Sequence, residues 1–186
     1  MNFESYLALT DAIVNGEITT APYDKAEMLD YTKMNAARMN RWLKTFEPSP
    51  EIREAIGAIS EFQQWIVITE PWCGDAAHIV PILHKLAAIN HNVVMEISLR
   101  DSEPYLIDQY LTNGGKSIPK LVIRDDAGKD IAVWGPRPAG AQQLYNDLKS
   151  NNASFEDMKI TLQKWYNEDR AASICREIVA LTGGQR

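Results

Sequence analysis

The chain has 186 residues, 45% of them hydrophobic and 24% charged, ordinary proportions for a globular protein able to bury a sizeable core. Its net charge is −6 and no run of Lys and Arg offsets it, which argues against nucleic acid and anionic membranes as partners. Two cysteines make no disulfide framework, and the start, Met1-Asn2-Phe3-Glu4-Ser5, lacks the basic flank of a signal peptide, so a reducing, cytoplasmic setting is expected.

Phe3, Tyr6, Leu7, Ile13 and Val14 recur at helical spacing and predict a first helix that stops near Gly16. A second helix is expected from about Pro22 to Phe46, with Met39, Trp42, Leu43 and Phe46 on its apolar face. Ser49-Pro50-Glu51 reads as an N-cap, a first helical residue and an acid favoured by the helix dipole. Ile52, Ile56 and Ile59 then mark a third helix. The pattern changes to a strand over Trp65–Thr69, a helix from Gly74 to about Asn90 and a strand over Val93–Leu99, which together imply a right-handed parallel βαβ unit. A short helix near Tyr105 to Leu111 follows. Leu121-Val122-Ile123 and Ile131-Ala132-Val133-Trp134 flank Asp125-Asp126-Ala127-Gly128 as an antiparallel hairpin. Pro138 opens a helix to about Lys149, and one last amphipathic helix is expected from Phe155 to Leu181, before Gly183-Gly184-Gln185-Arg186 fray. The fold class is α/β with a mixed sheet, divided as a helical extension over 1–62 packed on the core, a core over 63–150 and a C-terminal helix over 151–186.

The most informative segment is Thr69-Glu70-Pro71-Trp72-Cys73-Gly74-Asp75-Ala76. It places Cys73 at a strand-to-helix junction, where unpaired N–H groups and partial positive charge favour a thiolate. The partner of a Cys-x-x-Cys motif is missing, because Ala76 stands in its place. Asp75 suits the helix start but opposes a thiolate. At ~7 Å in a water-like dielectric that repulsion is about 0.6 kcal/mol, which the helix terminus matches or exceeds. A Cys73 pKa modestly below the free value is therefore expected. Two readings of Cys73 stand side by side, a nucleophile that forms mixed disulfides and an inert thiol on a binding scaffold. Cys175, set among Ile174, Ile178 and Leu181 at helical spacing, reads as a buried structural thiol, with a remote resolving cysteine as the alternative. His78, His84 and His91 read as surface or helix-end residues. No Cys/His spacing fits a metal and no Gly-rich loop fits phosphates.

The region from about Trp65 to Lys149 resembles thioredoxins in four places. Trp72-Cys73-Gly74 matches the front of the Trp-Cys-Gly-x-Cys site, and Pro81, eight residues after Cys73, matches the proline of the active-site helix. Ser117-Ile118-Pro119 matches the cis-proline loop, and Gly135 follows the last strand as a glycine does there. The stretches from Gln109 to Pro119 and from Trp134 to Pro138 resemble a bacterial branch of thioredoxin family proteins whose motif reads Trp-Cys-Gly-Asp-Cys. Two departures concern one half-reaction. Ala76 replaces the resolving cysteine, and Val67, six residues before Cys73, replaces the buried aspartate that helps deprotonate it.

The resemblance implies a thioredoxin-like fold with added helices and a single-cysteine site for thiol–disulfide exchange. Cys73 is the catalytic residue on that reading, and the Gly74, Asp75 and Ala76 segment supplies amides to its sulfur. A cis Ile118–Pro119 bond would present the Ile118 backbone to an extended substrate, the alternative being an ordinary trans proline. Trp72 forms the groove rim or packs over the strand end. Arg137 is read either as a solvated surface residue or as a charge for the thiolate or a glutathione carboxylate. The expected substrates are protein or small-thiol disulfides, with glutathione as a co-substrate and no bound cofactor. The competing class is a redox-inactive binding or adaptor module. A glutathione-held iron–sulfur cluster is a third, weakened because Gly74-Asp75-Ala76 differs from the Gly-Phe-Ser of the monothiol glutaredoxins.

Overall fold

A computed structural model describes residues 1–183; the fraying expected of Gly184-Gln185-Arg186 lies outside the described residues. Four strands form one mixed sheet in the order β2-β1-β3-β4, with β1 Gln63–Thr69, β2 Val93–Leu99, β3 Lys120–Arg124 and β4 Asp130–Trp134. β1 pairs parallel to β2 and antiparallel to β3, and β3 pairs antiparallel to β4. Val67 sits at the centre, opposite Ile97 and Leu121, and is fully buried, so an apolar β-branched side chain fills the middle of the sheet.

The helices are α1 Phe3–Val14, α2 Ala26–Thr45, α3 Pro50–Gly57, α4 Ala76–Ala87, α5 Ala139–Ser150, α6 Phe155–Asp169 and α7 Ala172–Thr182, with a 3-10 turn over Leu106–Gln109. The expected start of α3 is present, since Ser49 Oγ accepts from Ile52 N and Pro50 takes the first helical position. α2 begins later than Pro22, because Thr20 to Pro22 close turns onto Tyr23 and Lys25 before the helix starts.

The single C-terminal helix expected from the periodicity is two helices. Arg170 and Ala171 both take left-handed backbone (φ 50° and 66°), and Asp169 accepts from Ser173 N and Oγ to start α7. Neither Gly nor Pro marks the break, so the apolar spacing runs through it without a signal.

α4 is the centre of the molecule. The sheet covers one side, and α2, α3 and α7 pack on the others. Ten of its twelve residues are buried. A helix apolar on every face has to be enclosed, and the sequence Ala76-Ala77-His78-Ile79-Val80-Pro81-Ile82-Leu83 meets that description. The N-terminal helices are tied to this core by Asn90, just beyond α4. Its Nδ2 donates to Ile56 O (2.8 Å) and Ile59 O (2.9 Å), and its Oδ1 accepts from Asn92 N (2.9 Å). Asn90→Ala removes these buried hydrogen bonds, while Ile56 O keeps Ile59 N (3.3 Å) and Ile59 O keeps Asn92 Nδ2 (3.1 Å); a loss of about 1–3 kcal/mol in urea-unfolding stability is expected. Asn92→Ala, with a more exposed amide, serves as the milder control.

Candidate functional site

Cys73 lies in the turn between β1 and α4. Its N–H donates to Glu70 O (3.1 Å) and its carbonyl accepts from Ala77 N (3.3 Å), so the residue is fixed by both neighbouring elements. Across from it, the Ile118–Pro119 peptide is cis. The thiol donates to Ile118 O at 3.4 Å, which brings the proposed nucleophile and the proline loop into contact.

The residue is only 8% exposed, and its thiol is pushed up to about 12, not down as expected. Burial is the chief cause, followed by the nearby charge of Asp75. The Ala76 and Asp75 amides and the Arg137 charge act in the other direction and do not overcome it. At a water-like dielectric the helix terminus would match the repulsion from Asp75. Enclosure of α4 removes that water, and the hydrogen bond to Ile118 O further favours the protonated sulfur.

Asp75 is no helix cap. It makes no capping hydrogen bond and sits in helical backbone itself. Its carboxylate pairs with Arg137 Nη2 (2.7 Å) and accepts from Tyr166 Oη (2.9 Å) on α6. Arg137 is therefore half-buried rather than solvated, with its guanidinium 4.1 Å from the centre of the Tyr145 ring. Its Nε is buried without a partner among the described residues. Trp72 is half-buried and lies under Arg100, whose guanidinium is 4.6 Å from its ring. Gly74 is exposed and Ala76 buried.

Several residues that shape this region carried no signal in sequence. His78, expected at the surface or at a helix end, is buried: Trp42 Nε1 donates to its Nδ1 (2.9 Å), Gln163 Oε1 lies 3.0 Å from its Nε2, and its ring stacks on Tyr166 at 4.3 Å. His84 packs its ring on Phe3 at 4.0 Å. Asn35 Nδ2 donates to Pro71 O (3.0 Å) and its Oδ1 accepts from Arg38 (3.1 Å), so α2 holds the turn that carries Cys73. Lys120 is buried, and its ammonium donates to Thr112 Oγ1 and to Gly135 O (3.1 Å), bracing the back of the proline loop. Glu70 is buried too, with Oε1 accepting from Asp101 N (2.9 Å) and its carboxyl raised mainly by burial. The all-apolar character of α4 was the one available clue to His78. Cys175 is buried beside Ile174 and Ile178, with its thiol pushed up to about 11 by burial. Among the described residues no group of three His, Cys, Asp or Glu is placed to hold a metal ion.

Gly135 stands at φ +105°, and a Cβ there would lie 2.5 Å from Pro119 O. Only glycine permits that approach.

A family model described as Thioredoxin matches residues 21–150, more than half of the chain. The chain belongs to the thioredoxin family. The matched region begins ahead of β1 and takes in α2 and α3. Among solved structures, a protein of unknown function from Pseudomonas aeruginosa is similar with a TM-score of 0.60 at 15% identity, over 83% of this chain and 86% of that one. An HIV epitope-scaffold is similar with a TM-score of 0.59 at 15% identity over 100% of both chains. At such identity the likeness concerns the fold. No curated protein matches. Among the described residues of this thioredoxin family member, no helix is long and apolar enough to cross a membrane.

Two consequences are measurable. Gly135→Ala is expected to cost about 1–3 kcal/mol from the backbone conformation alone and to displace the Pro119 loop, read as lowered thermal stability with altered amide shifts at Ser117, Ile118 and Lys120. His78 is held neutral, its pKa lowered to about 3 chiefly by burial. Its contribution is complete above the ordinary value of 6.5 and declines as the pH falls from there towards 3, because the unfolded chain gains a proton that the folded one refuses. Between pH 6.5 and 5 the wild type should lose up to about 1.4 kcal/mol per pH unit more than His78→Gln.

Proposed function

We propose that this protein carries out thiol–disulfide exchange through a single cysteine, Cys73, acting on a protein or small-thiol disulfide. The observation that carries the reading is the 3.4 Å contact between Cys73 Sγ and Ile118 O. An incoming strand whose N–H engages that carbonyl deprives the thiol of its acceptor and lays a disulfide beside the sulfur. The Asp75 and Ala76 amides and the Arg137 charge then favour the thiolate. Loss of the proton to solvent leaves a thiolate that attacks one substrate sulfur. The S–S bond breaks, the second sulfur departs as a thiolate, and Cys73 is left oxidised in a mixed disulfide. Ala76 supplies no resolving thiol, and Cys175 is buried in α7, so release requires an external thiol such as glutathione. Its attack on the mixed disulfide restores Cys73 and carries the substrate away as a new disulfide.

Catalysis on this reading belongs to Cys73. Trp72, Gly74, Asp75, Ala76, Ile118, Pro119 and Arg137 line or support the substrate groove, and two free cysteines suit a reducing, cytoplasmic setting. The division into a helical extension over 1–62, a core over 63–150 and a C-terminal segment over 151–186 is part of the same proposal.

A redox-inactive binding module is the second reading, favoured by the burial of Cys73 and its raised pKa. The two separate in a Cys175→Ser background. In the resting protein iodoacetamide should alkylate Cys73 at neutral pH about a hundredfold or more slower than free cysteine, with a rate still climbing above pH 9. Mass spectrometry after incubation with oxidised glutathione or a peptide disulfide should nevertheless find the adduct on Cys73. Slow alkylation with no adduct from either disulfide would establish the binding module.

A further inference from the structure

Arg38, beside the Cys73 turn, and Arg41, one helical turn further along α2, have no role in the site as described so far. Arg38 on α2 is half-buried, and a Cβ at Gly74, the residue after Cys73, would lie 4.0 Å from its Nη1. One turn further along the same helix is Arg41. Neither has a carboxylate partner among the described residues, in a protein of net charge −6. Both are instead oriented by neutral amides. Arg38 Nη1 donates to Asn35 Oδ1 (3.1 Å), and Arg41 Nη2 donates to Asn167 Oδ1 (2.7 Å) on α6. An amide oxygen fixes a guanidinium without neutralising it, leaving its charge and remaining N–H groups for another anion. Asn35 also holds Pro71 O, so the same side chain positions Arg38 and the turn that carries Cys73.

The surroundings preserve this charge. Asp75, the nearest acid on the turn, is taken by Arg137 and Tyr166. His78, between the arginines and the core, is neutral. Beyond Arg41 a groove of about 370 Å³ opens between α2 and α6, with Arg170 as a further cation and Trp42 and Phe46 as apolar walls. The groove's one acid, Glu47, is paired with Arg53 and Lys85. Burial, and after it the like charge of Arg41 one helical turn away, lowers the Arg38 pKa from its ordinary value. That cost is recovered when an anion arrives.

We propose that Arg38 and Arg41 form an anion subsite beside Cys73, which selects disulfides flanked by carboxylates. The selection rests on the thiol-exchange reading, because the subsite acts on the substrate that Cys73 attacks. Its chemistry is met by an acidic polypeptide segment around a disulfide or by a small dicarboxylate disulfide.

Cys175→Ser protein, at about pH 9 so that Cys73 reacts measurably, is treated with dithiobis(nitrobenzoate), a dianionic aromatic disulfide, and with dithiodipyridine, its neutral counterpart. The ratio of the two second-order rates cancels any change in the thiol itself. Arg38→Gln and Arg41→Gln should each lower that ratio about three- to tenfold, Arg38→Lys should restore much of it, and added salt should reduce it in the wild type. A second arm compares peptide disulfides flanked by glutamates or by glutamines. Discrimination there assigns the subsite to polypeptides, and discrimination confined to the small probes assigns it to small acids. A ratio unmoved by either substitution in both arms overturns the anion subsite while leaving Cys73 chemistry standing. Reaction of Cys73 with none of the four disulfides overturns the thiol-exchange reading itself.

Discussion

Enclosure of α4 between the sheet and the added helices is the constraint from which the properties of the site follow, since a thiol at the head of a buried helix loses the water that would stabilise its charge. In an open site, the amides of a helix terminus and one nearby guanidinium are enough to hold a thiolate. Here the same groups work against desolvation and fall short of it. The architecture favours a sulfur that stays protonated at rest and meets its partner carbonyl on the proline loop. The burial that stabilises the fold is thus also what keeps the thiol protonated.

The charges around Cys73 are arranged consistently with that. Asp75 would repel a thiolate, yet it is held away from the free role of a helix-start acid by Arg137 and by Tyr166 from α6. Ala76 and Val67 complete the picture, because a fully buried carboxylate at the centre of the sheet has a desolvation cost and no second thiol to activate. Three elements, α2 through Asn35, α6 through Tyr166 and the proline loop through Lys120, each fix one side of the site.

Much of the fold was legible because its signals are local. Apolar runs marked the four strands, Ser49-Pro50 the start of α3, the strand–helix–strand order the parallel pairing of β1 with β2, and the match of Ser117-Ile118-Pro119 to thioredoxins the loop facing Cys73. What was not legible depends on contacts distant in sequence. The break at Arg170 and Ala171 uses two residues with no turn preference of their own. Tyr166 reaches Asp75 across 91 positions, and Asn35 reaches Pro71 across 36. The direction of the Cys73 pKa was missed for a related reason: the dielectric at a site is set by what covers it, and local spacing does not report the cover.

The imidazole of His78 joins α2, α4 and α6 through both of its ring nitrogens and one stacked face. A lysine or arginine in that position would have carried a permanent charge into the seam, and a histidine open to solvent would have acquired one in mild acid. Fixed as a neutral connector, it adds no titrating charge to the junction. The field reaching the neighbouring sulfur from that side then stays constant while the surrounding medium acidifies, so the helices are fastened together without making the thiol answer to pH through them.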